Sequence, residues 1–337
     1  MKKILVIQTA FIGDAILTLP MIQKLKENFG SYQIDVLCIP STEEIFKASP
    51  YVDKVKVIDK KGKHKNLFSL ISFARKLKNQ QYEIVYSPHR SFRTSLVVKI
   101  LSADKSYGFS TASLKYFYKN LIEYSPSKHE VQRNLDLISY KYDGNNWRIH
   151  PQISVNEDQK QKVDGFIQKN KIRNFIAVAP GSVWNTKIYP KKYYIEIINS
   201  LIKKYNIVLV GGKNDVDLCN EIKSNFIENV FSSAGMFSLV ESIELLKRAA
   251  LLVTNDSAPT HMGISADIPV LTIYCSTVPG FGFYPYNTKS FYLSFDDLNC
   301  KPCGIHGYNK CPLSHFNCGY KLMPKLVIEK IWEMIND

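Results

Sequence analysis

The stretch Lys3-Ile4-Leu5-Val6-Ile7-Gln8-Thr9-Ala10-Phe11-Ile12-Gly13-Asp14-Ala15-Ile16-Leu17-Thr18-Leu19-Pro20 decides how the chain is read. Lys3–Thr9 is a largely apolar run that turns polar at its end, the pattern of a strand buried on both faces. From Ala15 the apolar spacing becomes helical through Ile16, Leu19, Ile22, Leu25 and Phe29, and Gly30 stops it. Pro20 falls inside that pattern and predicts a kink. Between strand and helix stand Gly13, which permits close backbone approach, and Asp14, at the cap or first turn. A capping carboxylate favoured by the helix dipole explains Asp14 as well as a reactive one does. The Gly-x-Gly-x-x-Gly turn of a dinucleotide site is absent here, which removes the main support for hydride transfer.

Outward from this stretch the same alternation continues. Gln33–Ile39, Val55–Ile58 and Glu83–Ser87 read as strands, and residues 66–78 as a helix. Residues 110–150 are aromatic, basic and irregular, punctuated by Pro126 and Asp143-Gly144-Asn145-Asn146. A polar, lysine-rich run, Asn156–Lys171, marks the domain junction. The alternation then restarts. Strands are expected at Phe175–Ala179, Ile207–Val210, Leu251–Thr254 and Val270–Tyr274. Helices are expected at Lys191–Lys204, Asp215–Asn225, Leu239–Ala249, Ser257–Ala266 and Lys325–Ile335. The fold class is therefore α/β, with two doubly wound, Rossmann-like domains at 1–160 and 161–337. The last helix either completes the second domain or packs back on the first.

The 337 residues suit two domains of ordinary size, and a 45% hydrophobic, 22% charged composition is that of a globular chain. No run approaches the roughly 18 apolar residues that span a bilayer. Ile4–Ile7 is too short for a signal-peptide core and no small-residue cleavage site follows, so a cytoplasmic protein is expected. The net charge of +14 is uneven: residues 1–150 hold 24 Lys and Arg against 13 Asp and Glu, the rest 20 against 17. A basic first half fits an anionic partner: nucleic acid, anionic lipid or phosphorylated glycan. No helix-turn-helix or RNA-recognition signature accompanies the charge, which leaves a nucleic-acid-binding protein as the rival of another class.

Four further segments carry chemistry. Pro180-Gly181-Ser182 ends a strand, and Lys187 follows before Pro190, placed to meet a phosphate or simply to face water. Gly211-Gly212-Lys213-Asn214-Asp215 ends another; Asp215 or Asp217 is suited to ribose hydroxyls, and a tight turn explains the run equally. In Thr254-Asn255-Asp256-Ser257-Ala258-Pro259-Thr260-His261 a buried strand runs into a helix whose first amides suit a diphosphate, with Ser257 and His261 on one face. Lastly, Cys300, Cys303, Cys311 and Cys318, interleaved with His306 and His315, are compatible with a structural zinc, although the Cys-x6-Cys second pair is unlike a zinc ribbon. Free buried thiols are the plain alternative, and disulfides are disfavoured in a cytosolic setting.

Taken in order, Gly13-Asp14 with Thr18 and Pro20, Pro180-Gly181 with Thr186-Lys187 and Pro190, Gly211-Gly212, and Asn255-Asp256-Ser257 with Pro259 and His261 resemble glycosyltransferase family 9, the lipopolysaccharide heptosyltransferases. The resemblance covers essentially the whole chain, and the Cys300–Cys318 segment looks like one found in heptosyltransferase II-like members. It implies a GT-B fold with two domains facing a central cleft. It implies an inverting transfer of heptose from an ADP-sugar to a lipopolysaccharide core, with no cofactor needed for catalysis. Asp14 matches the family's proposed base. Lys187, Asp256, Ser257 and His261 match its donor side, and Gly13, Ser182, Asp215 and Ala258, beside these motifs, are expected to bind the donor with them. His89, Arg90 and Arg93, after the strand ending at Ser87, are the residues chosen here for the anionic glycolipid acceptor. The implied place is the cytoplasmic face of the inner membrane, with that membrane and no nucleic acid as partner. Three positions depart from the pattern: Ala258 where Gly is usual, Tyr189 where Trp is common, and Phe11 where smaller or polar residues are frequent. They leave open a family relative that uses another nucleotide sugar.

Overall fold

The computed structural model describes residues 2–336. The chain divides into two compact units, Met1–Ser154 and Val155–Asp337.

The first unit runs β1 (Lys3–Ile7), α1 (Ile12–Asn28), β2 (Gln33–Cys38), α2 (Glu43–Lys47), β3 (Lys54–Val57), α3 (Leu67–Lys78), β4 (Ile84–Ser87), α4 (Phe92–Leu101), β5 (Lys105–Phe109), β6 (Asn120–Ile122) and α5 (Glu130–Leu137). Its six strands lie in the order β3-β2-β1-β4-β5-β6, and every pairing is parallel. That is the doubly wound order, in which the connection reverses direction between β1 and β4. The central strand earns its place by composition: Ile4, Leu5, Val6 and Ile7 are all fully buried. Such a strand needs helices on both faces. Leu5 and Ile7 pack with Leu70, Ala74 and Val97 of α3 and α4 on one of them. α1 passes through Pro20 without ending there.

The second unit repeats the plan with α6 (Glu157–Lys169), β7 (Phe175–Ala179), α7 (Lys191–Leu201), β8 (Asn206–Leu209), α8 (Val216–Lys223), β9 (Val230–Ser232), α9 (Leu239–Leu246), β10 (Leu251–Asn255), α10 (Ala258–Ser265), β11 (Val270–Tyr274), β12 (Phe291–Ser294), α11 (Asn317–Tyr320) and α12 (Pro324–Asn336). The order β12-β11-β10-β7-β8-β9, again all parallel, is the same topology, with the reversal between β7 and β10. α12 packs on α7 of its own unit. Its Val327 and Ile331 are fully buried in that unit's core.

Two stretches differ from the periodicity reading. Residues 110–150, read as irregular, contain β6 and α5. α5 is hard to see because charged residues occupy its buried face: Glu130 and Arg133 are both buried and form an ion pair of 2.9 Å. The polar run Asn156–Lys171, read as a junction, is mostly the helix α6. Its start is fixed by a capping box in which Asn156 Oδ1 accepts from the Gln159 N–H and Gln159 Oε1 accepts from the Asn156 N–H. Only Val163 and Phe166 of α6 are buried, too few to give a visible apolar stripe.

Candidate functional site

Open parallel sheets bind ligands beyond the carboxyl ends of their strands, where the connection reverses. In both units the residues singled out from sequence stand at that place.

In the first unit Asp14 follows β1 at the third position of α1. Its carboxylate accepts from the Phe11 N–H at 3.2 Å, closing the first turn. Phe11, the family departure, is an exposed side chain at the cap. Asp14 keeps a partly open face, yet protein crowds it closely. Its carboxyl is pushed up to about 7, first by burial and next by the Glu130 carboxylate, while the Phe11 and Asp14 amides and the Arg90 guanidinium pull the other way. Glu130 comes from α5, which packs along α1. Its own carboxyl is raised by burial and restrained chiefly by Arg133. The Arg90 and Arg133 guanidiniums lie over the Tyr124 ring, at 3.8 and 4.7 Å from its centre. The result is a carboxyl poised near neutrality within a network of charges.

The three residues expected on the acceptor side meet different fates. His89 Nδ1 pairs with Thr9 Oγ1 at 2.7 Å and Thr94 Oγ1 at 3.2 Å. Burial, with Lys60 and Arg90 nearby, lowers the imidazole to about 4, so it is a neutral hydrogen-bonding group at pH 7. Arg90 donates to Thr111 Oγ1 at 3.1 Å and keeps its face on Tyr124. Arg93 donates to the carbonyls of Lys60, His64 and Lys65, holding the loop after β3. In the same place Lys60 Nζ donates to the Thr9 carbonyl at 2.7 Å.

In the second unit β7 and β10 deliver their turns side by side. Asn255, the last residue of β10, ties them. Its Nδ2 donates to the Pro180 carbonyl at 2.7 Å, and its Oδ1 accepts from the Tyr189 N–H and the Tyr194 hydroxyl, both at 2.9 Å. Lys187 Nζ then pairs with Asp256 Oδ2 at 2.6 Å, with about a tenth of each side chain exposed. A buried ion pair of this kind is weak evidence for stability, because desolvation offsets most of the attraction. His261 lies close enough to feel both charges, and burial lowers its imidazole to about 4. Its Nδ1 is buried without a hydrogen-bond partner.

α10 begins at Ala258 with Pro259 in its first turn, directly after Asp256 and Ser257. The hydroxyl of Ser257 reaches only its neighbour's carbonyl, Asn255 O, at 3.4 Å. Ser182 stands half-buried just after Gly181. Asp215 is engaged in the fold: Oδ2 accepts from the Gly212 N–H at 2.8 Å, and a Cβ on Gly181 or Gly211 would overlap its side chain. Asp217 is exposed on α8. Tyr189 substitutes for the common Trp with a fully buried ring whose hydroxyl donates to the Leu322 carbonyl at 2.5 Å.

The expected zinc is not shown. Among the described residues no group of three or more His, Cys, Asp or Glu side chains is gathered to hold a metal ion. Cys300, Cys303, Cys311 and Cys318 are free thiols. Cys318 is buried in the second unit's apolar core, and the Cys303 thiol donates to the Cys300 carbonyl at 3.5 Å. Cys300 Sγ lies 4.0 Å from His315 Nε2. No helix among the described residues is long and apolar enough to cross a membrane.

Thr277 and Glu130 were not singled out from sequence. Asn255 sits in a legible motif, beside Asp256. Thr277 donates to Asp256 Oδ2 at 2.7 Å, and Glu130 tunes Asp14; nothing in their local sequence announces either contact.

Two Rossmann-type units of identical topology, with Asp14 after β1 in one and the Lys187–Asp256 pair after β7 and β10 in the other, make a GT-B type fold. The model of glycosyltransferase family 9 (heptosyltransferase) matches residues 70–309, and the chain belongs to that family. Lipopolysaccharide heptosyltransferase 1 of Campylobacter coli is 26% identical over 291 residues, covering 82% of this chain and 84% of that protein. A glycosyltransferase family 9 structure from Veillonella parvula superposes with a TM-score of 0.88 at 21% identity, over 99% of this chain and 97% of that one. The ADP-heptose heptosyltransferase II of E. coli superposes at 0.81 with 20% identity, over 99% and 98%.

Proposed function

We propose that this glycosyltransferase moves a heptose from ADP-heptose to an anionic lipopolysaccharide-core acceptor, with inversion at the sugar carbon. The printed functions of its relatives, lipopolysaccharide heptosyltransferase 1 and ADP-heptose heptosyltransferase II, support the donor and acceptor. The observation that carries the reading is the buried Lys187–Asp256 pair beside the start of α10.

The chemistry is a direct displacement. Asp14 takes the proton of an acceptor hydroxyl as that oxygen bonds to the sugar carbon. The bond from that carbon to the diphosphate breaks, and ADP leaves with the electron pair. A base contributes on the order of 10²–10⁴-fold, most when its pKa lies near the working pH, which suits a carboxyl raised to about 7. The leaving diphosphate gains charge. Lys187 and the Ala258 amide meet that charge, and preorganised groups of this sort are often the largest contribution. Asp256 orients Lys187, and His261, neutral, offers a hydrogen bond to the sugar or phosphate. Ser182, Ser257 and the backbone at Gly13 complete the contacts, with Asp215 holding the turn beneath the nucleotide.

Arg90 and the basic loop held by Arg93 face the acceptor, with His89 contributing a hydrogen bond rather than a charge. The excess of positive charge in residues 1–150 holds the enzyme at the anionic cytoplasmic face of the inner membrane, at about 1 kcal/mol per basic residue near the surface. Turnover of ADP-heptose with a truncated core glycolipid tests the whole reading. Lys187→Ala is expected to weaken ADP binding and lower kcat. Wild-type protein that binds no nucleoside diphosphate would sink the assignment.

A further inference from the structure

The Lys187–Asp256 pair is held from outside its own two turns. Ser276 and Thr277 follow β11 and are both buried. Thr277 Oγ1 donates to Asp256 Oδ2 at 2.7 Å. Its neighbour Ser276 binds the other half of the pair's support: its hydroxyl donates to Thr186 Oγ1 at 3.0 Å, and its N–H donates to the Thr186 carbonyl at 3.3 Å. Thr186 is buried and immediately precedes Lys187.

The cysteine-bearing segment after β12 closes on the same residue. The Tyr308 N–H donates to Thr186 Oγ1 at 2.8 Å, and the Thr186 N–H donates to the Tyr308 carbonyl at 3.0 Å. The Cys303 N–H donates to the Ser276 carbonyl at 2.8 Å. Gly307, with φ at +79°, makes the approach possible: a Cβ there would stand 2.9 Å from both Thr186 Oγ1 and Ser276 Oγ. Lys301 anchors the segment's start, its Nζ donating to the Tyr274 carbonyl at 3.2 Å and the Phe295 carbonyl at 3.1 Å. Every backbone polar group of Thr186 and its hydroxyl are thus engaged. A threonine so fully bonded does more than fill space: it sets the path of the next residue.

We propose that Thr186 is a positioning residue for the donor's diphosphate, and that the 300–308 segment is the brace that holds it. Thr186 sets where Lys187 Nζ stands, while Thr277 sets Asp256, so one turn after β11 spaces both charges. This rests on the reading of Lys187 as a phosphate ligand. It gives the cysteine-bearing segment a role in substrate geometry that needs no metal.

The test is ADP affinity by calorimetry, with KM for ADP-heptose, kcat and Tm, on wild type, Thr186→Val, Thr186→Ser, Gly307→Ala and Lys187→Ala. Thr186→Val keeps the shape and loses the hydroxyl's bonds. It is expected to raise the ADP Kd and donor KM about tenfold, the worth of one or two hydrogen bonds, with a smaller change in kcat. Thr186→Ser restores the hydroxyl and should return affinity to the wild-type value. Gly307→Ala presses on Thr186 without altering it and should also weaken ADP binding, which keeps the test open if the valine variant does not fold. A lower Tm with unchanged ADP affinity in Thr186→Val and Gly307→Ala would mean the brace is structural only and would overturn the proposal. If Lys187→Ala binds ADP as well as wild type, the phosphate assignment itself fails, a result separable from the first.

Discussion

At Asp14 one carboxyl has two electrostatic consequences of opposite value. Burial and Glu130 raise it from the usual 3.8 to about 7. As the proposed base it must be ionised, so kcat/KM should rise with pH on an acid limb centred near 7. Asp14→Asn should lower turnover at least about 10²-fold while ADP still binds. For stability the sign is reversed. Between 3.8 and about 7 the folded chain holds a proton that the unfolded chain has released. The group's contribution is therefore fully present in acid and is lost as pH climbs through about 7. Asp14→Asn removes that loss. Its Tm should exceed wild type at pH 8 and match it at pH 4, a signature that a purely structural cap would not give. A carboxylate there only to serve the helix start would instead lose up to about 1 kcal/mol on change to Asn above its pKa, and nothing below it.

Among the elements, α10 is held closely by its contacts with the sheet. It lies flat on the sheet, with Thr260 through Ser265 all buried. Gly263 lets it come that close. A Cβ there would stand 2.6 Å from Val270 Cγ2 and 2.9 Å from Leu252 Cδ2, side chains of β11 and β10. Gly263→Ala should destabilise the second unit by about 1–3 kcal/mol, the usual cost of overpacking, read from a urea midpoint. Since α10's first turn is the proposed diphosphate seat, ADP affinity should fall with it. The intrinsic helix preference of alanine, worth about 1 kcal/mol over glycine, works the other way and is outweighed. A variant more stable than wild type would show that the helix can lift without cost.

For the molecule as a whole, each unit has its own sheet and core, so each can be followed by its own tryptophans: Trp147 in the first, Trp184 and Trp332 in the second. In the second unit burial lowers His261 to about 4 from 6.5. Glu241 and Asp296 are lowered too, by their partners, among them Lys162 and Lys301, against the burial that raises them. All three groups bind protons more readily when unfolded, so stability is lost as pH falls. The second unit's urea midpoint should be lower at pH 5 than at pH 7, and an unchanged midpoint would contradict these environments. Metal analysis gives a further check. Because the four cysteines are not drawn into one coordination sphere, protein purified under reduction should carry clearly less than one zinc per chain. One firmly bound zinc per chain would require that segment to be arranged differently.

What the sequence determined by itself is the plan. Runs such as Lys3–Ile7, Phe175–Ala179 and Leu251–Asn255 are apolar on both faces, and a strand of that kind is stable only inside a helix-covered parallel sheet. The turns that follow these runs carry Asp14, Lys187 and Asp256, which made the candidate residues legible from local pattern alone. α5 and α6 were hidden because ion pairs and caps, not an apolar stripe, define them. Only the tertiary structure decided how the candidates are tuned. Glu130 beside Asp14, Thr277 on Asp256, and Tyr308 on Thr186 are contacts between residues from 21 to 122 positions apart. Burial and long-range hydrogen bonds set the charge and spacing of a group, and neither leaves a periodic trace in the chain.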